Sequence, residues 1–332
     1  MKAMTCNGYG PADRVFELKT IPKPIPKANE VLIKILATVV TSGDCKLRGF
    51  RGIPPSFWLP SRLMFGLRSP RQPIWGLLFS GEIEQIGKDV KLFKEGDQVY
   101  GSTEFGFGTY AQYKCLPETA CISKKPENLS HEETVSIPFG LETAIHFLRK
   151  ANIEKGQKVL IYGASGAVGT AAVQLAKHYG AEVTGVCSTT NMEMVKSLGA
   201  DYVIDYTKED FTENGVRYDI IFETVGKKSY SSCKYSLQSN GYFLMAVFAM
   251  YEICQMLWRK VVGGPKVICS VAGAVLEYYD LMRELAESGK VVPVIDRCYS
   301  LEEIPQAHIY VEGGHKKGNV VIKVDHEQKD EE

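Results

Sequence analysis

The chain has 332 residues, with 39 Lys and Arg side chains against 39 Asp and Glu, so its formal net charge is zero. This balance argues against a nucleic-acid partner bound through bulk positive charge. The N-terminus has no apolar stretch typical of a secretory signal. The nine cysteines are scattered and form no Cys-x-x-Cys pair, which fits reduced thiols. We therefore expect a cytoplasmic protein.

The first third of the chain predicts short β-strands separated by turns rich in Gly, Pro and Asp. The clearest is rich in β-branched residues and spans residues 30–40. Further strands are expected at residues 78–86, 98–101 and 109–114. This part of the chain therefore reads as a β-rich domain.

Near residue 130 the pattern changes to alternating helices and strands. Ser130 and Glu133 form a capping-box signature, and a helix to about residue 149, interrupted at Pro138, follows. Helices are then expected at 167–179 and 192–198, between strands at 158–162, 182–187, 202–204, 220–223, 241–248 and 266–271. Such alternation predicts a parallel sheet covered by helices on both faces, hence an α/β fold.

The alternation stops after about residue 272, where a helix at 276–288 and a last strand at 319–324 are expected. We predict a β-rich catalytic domain from residues 1–128 and 273–332, and a doubly wound cofactor domain from residues 129–272. The charged tail beyond residue 324 is expected to be frayed.

The motif that is most informative about function is a glycine-rich turn between the strand at 158–162 and the following helix. Its glycines, Gly163, Gly166 and Gly169, would give a tight turn, a bare backbone for a pyrophosphate, and close helix packing. The start of the helix would add amide donors and a positive dipole. The predicted dinucleotide-binding residues here are Gly163, Ala164, Ser165, Gly166, Ala167, Val168 and Gly169.

The end of the next strand indicates which dinucleotide is bound. An NAD site usually places an acid there, to bond the ribose hydroxyls. This chain has Ser188, Thr189, Thr190 and Asn191 instead, which can bond a 2′-phosphate without repelling it. The sequence therefore favours NADPH. No basic residue stands at Asn191, so positive charge would come from elsewhere, for example Lys316 or Lys317.

Several motifs resemble a known family over nearly the whole chain. They include Gly43-Asp44-Cys45-Lys46, Gly108-Thr109-Tyr110-Ala111, the glycine-rich turn, Val203-Ile204-Asp205-Tyr206 and Gly318-Asn319-Val320. In these motifs the chain resembles a zinc-free medium-chain dehydrogenase/reductase of the NADPH:quinone oxidoreductase and enone reductase branch. The resemblance implies a GroES-like β-rich domain beside a Rossmann cofactor domain.

The residues that would hold zinc in the alcohol dehydrogenases of this superfamily are missing. Residues 76–79 read Gly-Leu-Leu-Phe where those enzymes have Gly-His-Glu, and Cys45 alone cannot make a site that needs three protein ligands. We therefore expect no metal. Alcohol oxidation is harder without a Lewis acid, whereas a quinone or an α,β-unsaturated carbonyl accepts hydride directly.

The resemblance also implies site residues. Thr41 and Lys46 stand where relatives have side chains near the nicotinamide, and either could donate to a substrate oxygen. Asp44 would orient Lys46 or cap a helix. Around the cofactor, the resemblance places Tyr206 beside the adenosine phosphate, and Thr143, Val225, Val247 and Asn319 along the nicotinamide half.

Residues 45–81 depart from shorter relatives and are interpreted as a long loop with six basic side chains, no acid and many aromatic residues. A second, apolar stretch at residues 248–262 follows a strand of the cofactor domain. We expect these segments to face each other across a substrate cleft as lid and pocket. An oligomer contact, a membrane-surface contact and plain packing are the alternatives.

The leading hypothesis is an NADPH-dependent reductase that transfers hydride to a small quinone or enone without metal. The alternatives are a zinc-independent alcohol or carbonyl dehydrogenase, and an NADPH-binding regulatory or structural protein with little turnover. A homodimer paired through the strand at 266–271 is a further expectation, because an exposed edge strand invites pairing.

Overall fold

The computed structural model describes residues 1–50 and 52–326. One residue of the basic segment, Arg51, lies outside the described residues, as does the charged tail from residue 327 onward. The strands are β1 (Lys2–Cys6), β2 (Phe16–Thr20), β3 (Glu30–Val40), β4 (Leu78–Ile86), β5 (Gln98–Ser102), β6 (Tyr113–Pro117), β7 (Cys121–Lys124), β8 (Lys158–Tyr162), β9 (Glu182–Cys187), β10 (Tyr202–Asp205), β11 (Tyr218–Glu223), β12 (Leu237–Met245), β13 (Lys266–Cys269), β14 (Ile295–Ser300) and β15 (Asn319–Lys323). The helices are α1 (Ala12–Val15), α2 (Ser42–Gly49), α3 (Pro55–Phe65), α4 (His131–Val135), α5 (Pro138–Lys150), α6 (Ala167–His178), α7 (Met192–Ser197), α8 (Tyr230–Cys233), α9 (Met250–Val262), α10 (Leu276–Glu287) and α11 (Ile304–Glu312).

The chain divides into two compact units. The first contains residues 1–138, 274–287 and the chain from residue 295 onward, and the second contains residues 139–273 and 288–294. Compared with the predicted boundaries, the first unit gains residues up to 138, because α4 packs against β3 and β4. Residues 288–294 join the second unit, where Val292 exchanges two hydrogen bonds with the Gln174 side chain at 2.8 and 3.1 Å.

The first unit is built on a seven-stranded sheet. Its order is β14-β15-β3-β4-β5-β7, with β6 also paired to β3, and only the β14–β15 pair is parallel. Apolar residues of β3 alternate onto one core that also contains Trp75, Phe79 and Tyr110. The long, β-branched β3 therefore forms the centre of this unit, as its sequence predicted.

The second unit is a doubly wound parallel sheet, which confirms the predicted α/β fold. Its strand order is β10-β9-β8-β11-β12-β13, and each neighbouring pair is parallel. The chain reverses its direction of winding between β8 and β11, which is where ligands bind in sheets of this kind. The edge strand β13 has no partner on its outer side within the described chain, so pairing through it stays a prediction.

Two local differences from the sequence expectations have clear causes. The strand expected at 109–114 begins at Tyr113, because Tyr110 instead exchanges backbone hydrogen bonds with Met4 and Trp75 at 2.8 and 2.9 Å. Residues 55–65, expected to be a long loop, form helix α3. Its first residue is Pro55, whose fixed φ favours a helix start and whose missing amide costs nothing there.

Candidate cofactor and active site

The turn after β8 is shaped by two glycines that no larger residue could replace without movement. Gly163 has φ +84, and a Cβ added there would lie 2.2 Å from Cγ2 of Val225. A Cβ on Gly169 would lie 2.1 Å from the carbonyl oxygen of Gly163. Gly166 differs, because its added Cβ would lie 3.6 Å from the same oxygen, which is ordinary contact. The turn therefore lies directly against helix α6 and the end of β11.

Helix α6 begins at this turn and leaves its first amides available. The amides of Gly163 and Ala164 both donate to Val186 O at 3.0 Å, which fixes the turn to the neighbouring strand β9. Gly166 is the N-cap residue and provides no side chain to satisfy the helix start. An anion is the ordinary partner of such a helix end. The first-turn residues Ala167 and Val168 are placed to supply these amides.

Residues predicted for the nicotinamide half meet at the ends of β11 and β12. The Glu223 carboxylate accepts hydrogen bonds from the amides of Val225, Gly226 and Lys227 at 3.2, 2.6 and 3.0 Å. A Cβ on Gly226 would lie 2.9 Å from Cγ1 of Val247. The structure thus brings Val225 and Val247 to one edge of the sheet, with Val225 next to Gly163, and the Glu223 carboxylate holds the loop of Val225 in place.

Thr143 lies on α5 in the same unit. Its hydroxyl donates to Phe139 O at 2.9 Å, one turn earlier in the helix. This bond uses the hydroxyl proton and leaves the oxygen lone pairs as the group that Thr143 can offer to a ligand.

The end of β9 carries the hydroxyl groups expected for a 2′-phosphate, but they have partners. The buried Asn191 amide donates to Oγ of Ser188 at 3.1 Å. Thr189 donates its hydroxyl proton to the carboxylate of Asp205, at the end of β10. Hydrogen bonds from Thr189 and Thr207 lower the pKa of Asp205 to about 2, so the carboxylate is ionised. The sequence has no acid at the end of β9, but the structure places Asp205 close by, at the end of the neighbouring strand β10.

A pocket of about 280 Å³ lies beside these residues at the ends of β8, β9 and β10. Its lining includes Tyr206, whose side chain is exposed, together with Tyr162, Lys208 and Lys228. Lys208 Nζ lies 3.5 Å from Asp205 Oδ2, and Lys228 Nζ lies 2.5 Å from Asp210 Oδ2. These lysines are the cations that the structure places next to Tyr206, and the sequence analysis did not single them out.

In the first unit, Thr41 and Asp44 form a capping box at the start of α2. The Thr41 hydroxyl accepts from the Asp44 amide at 3.1 Å and donates to Asp44 Oδ2 at 2.6 Å, while Oδ2 accepts from the Thr41 amide at 2.9 Å. Both residues are buried, and burial raises the pKa of Asp44 to about 6. Of the two roles that the sequence left open for Asp44, the contacts show the capping one.

Lys46 lies on the same helix and is half-buried. A Cβ added at Gly52 would lie 3.8 Å from its Cε. The single proton of Thr41 is engaged by Asp44. Of the two donors that the resemblance implied, Lys46 is the one that carries a positive charge.

Behind α2 the first unit contains a buried polar cluster around His308. Its Nδ1 lies 3.3 Å from Cys45 Sγ and 3.4 Å from Arg48 Nε, and its Nε2 lies 3.2 Å from the Tyr110 hydroxyl. Arg48 is fully buried and forms an ion pair with Glu312. Burial, with the nearby Arg48 charge, lowers the pKa of His308 well below its usual value, so the ring is neutral. No sequence pattern predicted this cluster, because its members, such as Arg48 and Glu312, lie far apart in the sequence.

The first unit also contains two residues predicted to serve the cofactor. Asn319 is buried at the start of β15. Lys316, a suggested source of positive charge, donates from Nζ to Gly318 O at 2.5 Å, and burial lowers its pKa to about 8.

Two of the basic side chains in the segment 45–81, Arg48 and Arg62, are engaged by other residues. Arg48 is paired with Glu312, and the guanidinium of Arg62 packs against Tyr9 and Phe50 with 4.0 and 3.9 Å between its Cζ and the ring centroids. Arg68 and Arg71 are exposed. That the segment faces residues 248–262 stays a prediction.

Metal ligands are not clustered in the part of the chain that the structure describes. Within residues 1–50 and 52–326, no three His, Cys, Asp or Glu side chains are close enough to hold a metal ion.

Comparison with known proteins gives consistent matches over both units. A model described as an alcohol dehydrogenase GroES-like domain matches residues 27–127, and one described as a zinc-binding dehydrogenase matches residues 198–322. A 2-methylene-furan-3-one reductase of Solanum lycopersicum is 32% identical over 97% of this chain and 79% of that protein. A chloroplastic NADPH-dependent alkenal/one oxidoreductase of Arabidopsis thaliana is 29% identical over the same shares. The solved quinone oxidoreductase of Coxiella burnetii superposes with a TM-score of 0.85 at 29% identity, covering 98% of this chain and 99% of that one.

Proposed function

Because this chain belongs to the medium-chain dehydrogenase/reductase superfamily, in its quinone oxidoreductase branch, and is thus an oxidoreductase with a nicotinamide cofactor, we propose a specific reaction for it. The reaction is NADPH-dependent reduction of a quinone or of the carbon–carbon double bond of an α,β-unsaturated carbonyl, without metal.

The observation that carries the proposal is the glycine turn after β8. Added Cβ atoms at Gly163 and Gly169 would collide with Val225 and with backbone, so these two glycines hold the turn tightly against the start of α6. A Cβ on Gly166 would meet only the Gly163 oxygen, at 3.6 Å, and no side chain caps the helix start there, so a pyrophosphate would have access to the first amides of α6 at this point. The residues present therefore fit a dinucleotide. Ser165, Gly166, Ala167 and Val168 would hold the pyrophosphate.

NADPH is favoured over NADH by the residues around the end of β9. Ser188 and Asn191 offer polar atoms there, and Lys208 and Lys228 add positive charge at the Tyr206 pocket. Asp205 opposes a 2′-phosphate by its charge, but its carboxylate is engaged by Thr189, Thr207 and Lys208. Asp205 stays ionised, and the hydrogen bonds from Thr189 and Thr207, with Lys208 Nζ at 3.5 Å, offset part of its repulsion of a 2′-phosphate.

The proposed substrate class follows from how the chain could stabilise negative charge on a substrate oxygen. The bound dihydronicotinamide would supply hydride to the electrophilic carbon. The oxygen conjugated with that carbon gains negative charge, and the Lys46 ammonium would stabilise it. The enolate, or the hydroquinone anion formed from a quinone, then takes a proton from water, so no dedicated acid is required. The names of the tomato and Arabidopsis relatives both specify unsaturated carbonyl substrates, which supports this class.

A matched pair of acceptors tests the proposal. NADPH oxidation is followed with trans-2-hexenal, with hexanal as the saturated control, and with 1,4-naphthoquinone. We expect turnover with hexenal, hexanal as its product, and no reduction of hexanal itself. A chelator such as 1,10-phenanthroline should leave the rate unchanged. Reduction of hexanal to the alcohol, or loss of activity with the chelator, would refute the proposal.

A further inference from the structure

Helix α9 carries an apolar stripe on the side that faces solvent. Its exposed apolar residues recur at intervals of one, three and four, which places them on one face of the helix. They are Met250, Tyr251, Cys254, Leu257, Trp258, Val261 and Val262. Val261 is 82% exposed, and Tyr251 and Trp258 are each 65% exposed. No residue of this 13-residue helix is buried.

The opposite face of α9 attaches the helix to the second unit. Glu252 accepts a hydrogen bond from the Ala249 amide at 2.9 Å, and Met256 Sδ accepts from the Cys269 amide at 3.5 Å. Arg259 Nε donates to Pro265 O at 3.2 Å, and its guanidinium lies over the Tyr230 ring. In a helix of a water-soluble protein the apolar stripe normally packs inward. Met256 also packs against the hydrophobic core of the second unit, so the inner face of α9 has its own partners and the exposed apolar stripe lies outside that packing.

The charges around the stripe are mostly positive. Residues 250–266 contain Arg259, Lys260 and Lys266 against the single acid Glu252. Lys260 and Lys266 are exposed. A second copy of the chain would bring the same positive charges together, which opposes self-association through this face. An anionic lipid surface complements them.

We propose that α9 is a membrane-contact helix that lies in the surface of an anionic bilayer, with its apolar stripe among the acyl chains. Within the described chain, every helix is too short or too polar to cross a bilayer, so the contact would be at the surface. Aromatic and aliphatic residues on one face with lysines beside them are the composition of such interfacial helices. This inference goes beyond the proposed reaction and does not depend on it.

Vesicle flotation of the full chain tests the proposal. The probes are vesicles of phosphatidylcholine alone and vesicles with phosphatidylserine added. We expect flotation with the anionic vesicles, and a loss of roughly tenfold or more for Val261→Glu and for the Lys260→Glu/Lys266→Glu double variant. Ile25→Glu is the matched control, since Ile25 in the first unit is also 82% exposed. This control should float like the wild type.

Two further measurements distinguish membrane binding from misfolding and from self-association. Circular dichroism and thermal melting confirm that each variant is folded. The size of the wild type is measured by gel filtration over a range of concentrations. Absence of flotation with anionic vesicles would overturn the proposal. A dimer that Val261→Glu dissociates, in a wild type that does not float, would also overturn it and assign the stripe to a second copy.

Discussion

A Cβ atom on Gly169 would lie 2.1 Å from the carbonyl oxygen of Gly163, so the first turn of α6 lies against the end of β8 with no room for a methyl group. We expect Gly169→Ala to move the helix away from the turn. The loss of stability should be about 3 kcal/mol, and NADPH affinity should fall, because the phosphate-binding amides shift. Urea denaturation and isothermal titration with NADPH measure the two effects.

Gly166→Ala is the matched control for this prediction. Its added Cβ has ordinary contact at 3.6 Å, and its φ of −80 suits any residue. The variant should therefore keep the stability of the wild type. Equal destabilisation by both substitutions would contradict the role assigned to the Gly163–Gly169 contact.

A carboxylate at the end of β9 should change the cofactor preference. We expect Ser188→Asp to weaken NADPH binding about tenfold or more, because an acid repels a 2′-phosphate, and to leave NADH binding within a few-fold. Dissociation constants for both cofactors from fluorescence titration check this. Ser197→Asp, an equal charge change at an exposed site on α7, should alter neither. Equal weakening of NADH and NADPH by Ser188→Asp would argue against a phosphate site there.

The charge of Lys46 should matter for chemistry more than for substrate binding. We expect Lys46→Ala to lower kcat by roughly 10²-fold, because the ammonium stabilises charge that develops on the acceptor oxygen. Lys46→Arg should recover part of the rate, and Lys88→Ala, at an exposed loop lysine, should leave it unchanged. Steady-state kinetics with hexenal provide the measurement. An unchanged kcat for Lys46→Ala would remove Lys46 from the site.

The pH dependence of stability should contain a contribution from His131. Its ring bonds Ser80 Oγ at 2.7 Å and Gln98 Oε1 at 2.6 Å, and burial lowers its pKa to about 4 from the ordinary 6.5. A depressed histidine pKa gives stability that is present above pH 6.5 and is lost as the pH falls towards 4. Because the ring is partly exposed and solvent screens it, the loss at pH 5 should be roughly 1 kcal/mol.

A variant that lacks His131 isolates this contribution, because the titration of Asp44 changes the stability in the opposite direction. The pKa of Asp44 is raised to about 6, so the folded state gains stability from Asp44 as the pH falls through 6. The free energy of unfolding of His131→Gln, measured at pH 7.5 and pH 5, should fall less than that of the wild type. His178→Gln, at an exposed histidine, should follow the wild type. A wild-type profile in His131→Gln would contradict the prediction.

Features that depend on near neighbours in the chain were predictable. The strand–turn–helix around Gly163 and Gly169, the Ser130 capping box and the strand β3 each rest on residue types within one turn or one strand, and the structure contains all three. The parallel order of the second sheet followed from the alternation of such elements. Helix α3 was missed because prolines and aromatic residues were interpreted as a loop.

By itself, then, the sequence determined the strands of the second unit, the glycine turn and the family of this protein. Only the tertiary structure decided which charges are neutralised and which apolar faces stay open. Arg48 forms an ion pair with Glu312, and the Thr189 hydroxyl donates a hydrogen bond to the ionised Asp205; no local sequence pattern predicts either contact. The periodic spacing of apolar residues in the sequence reveals the stripe of α9. Whether the stripe faces the sheet or the solvent depends on which face of the helix packs on the sheet. Burial and pairing arise from packing between distant segments, and they set the electrostatics of the site.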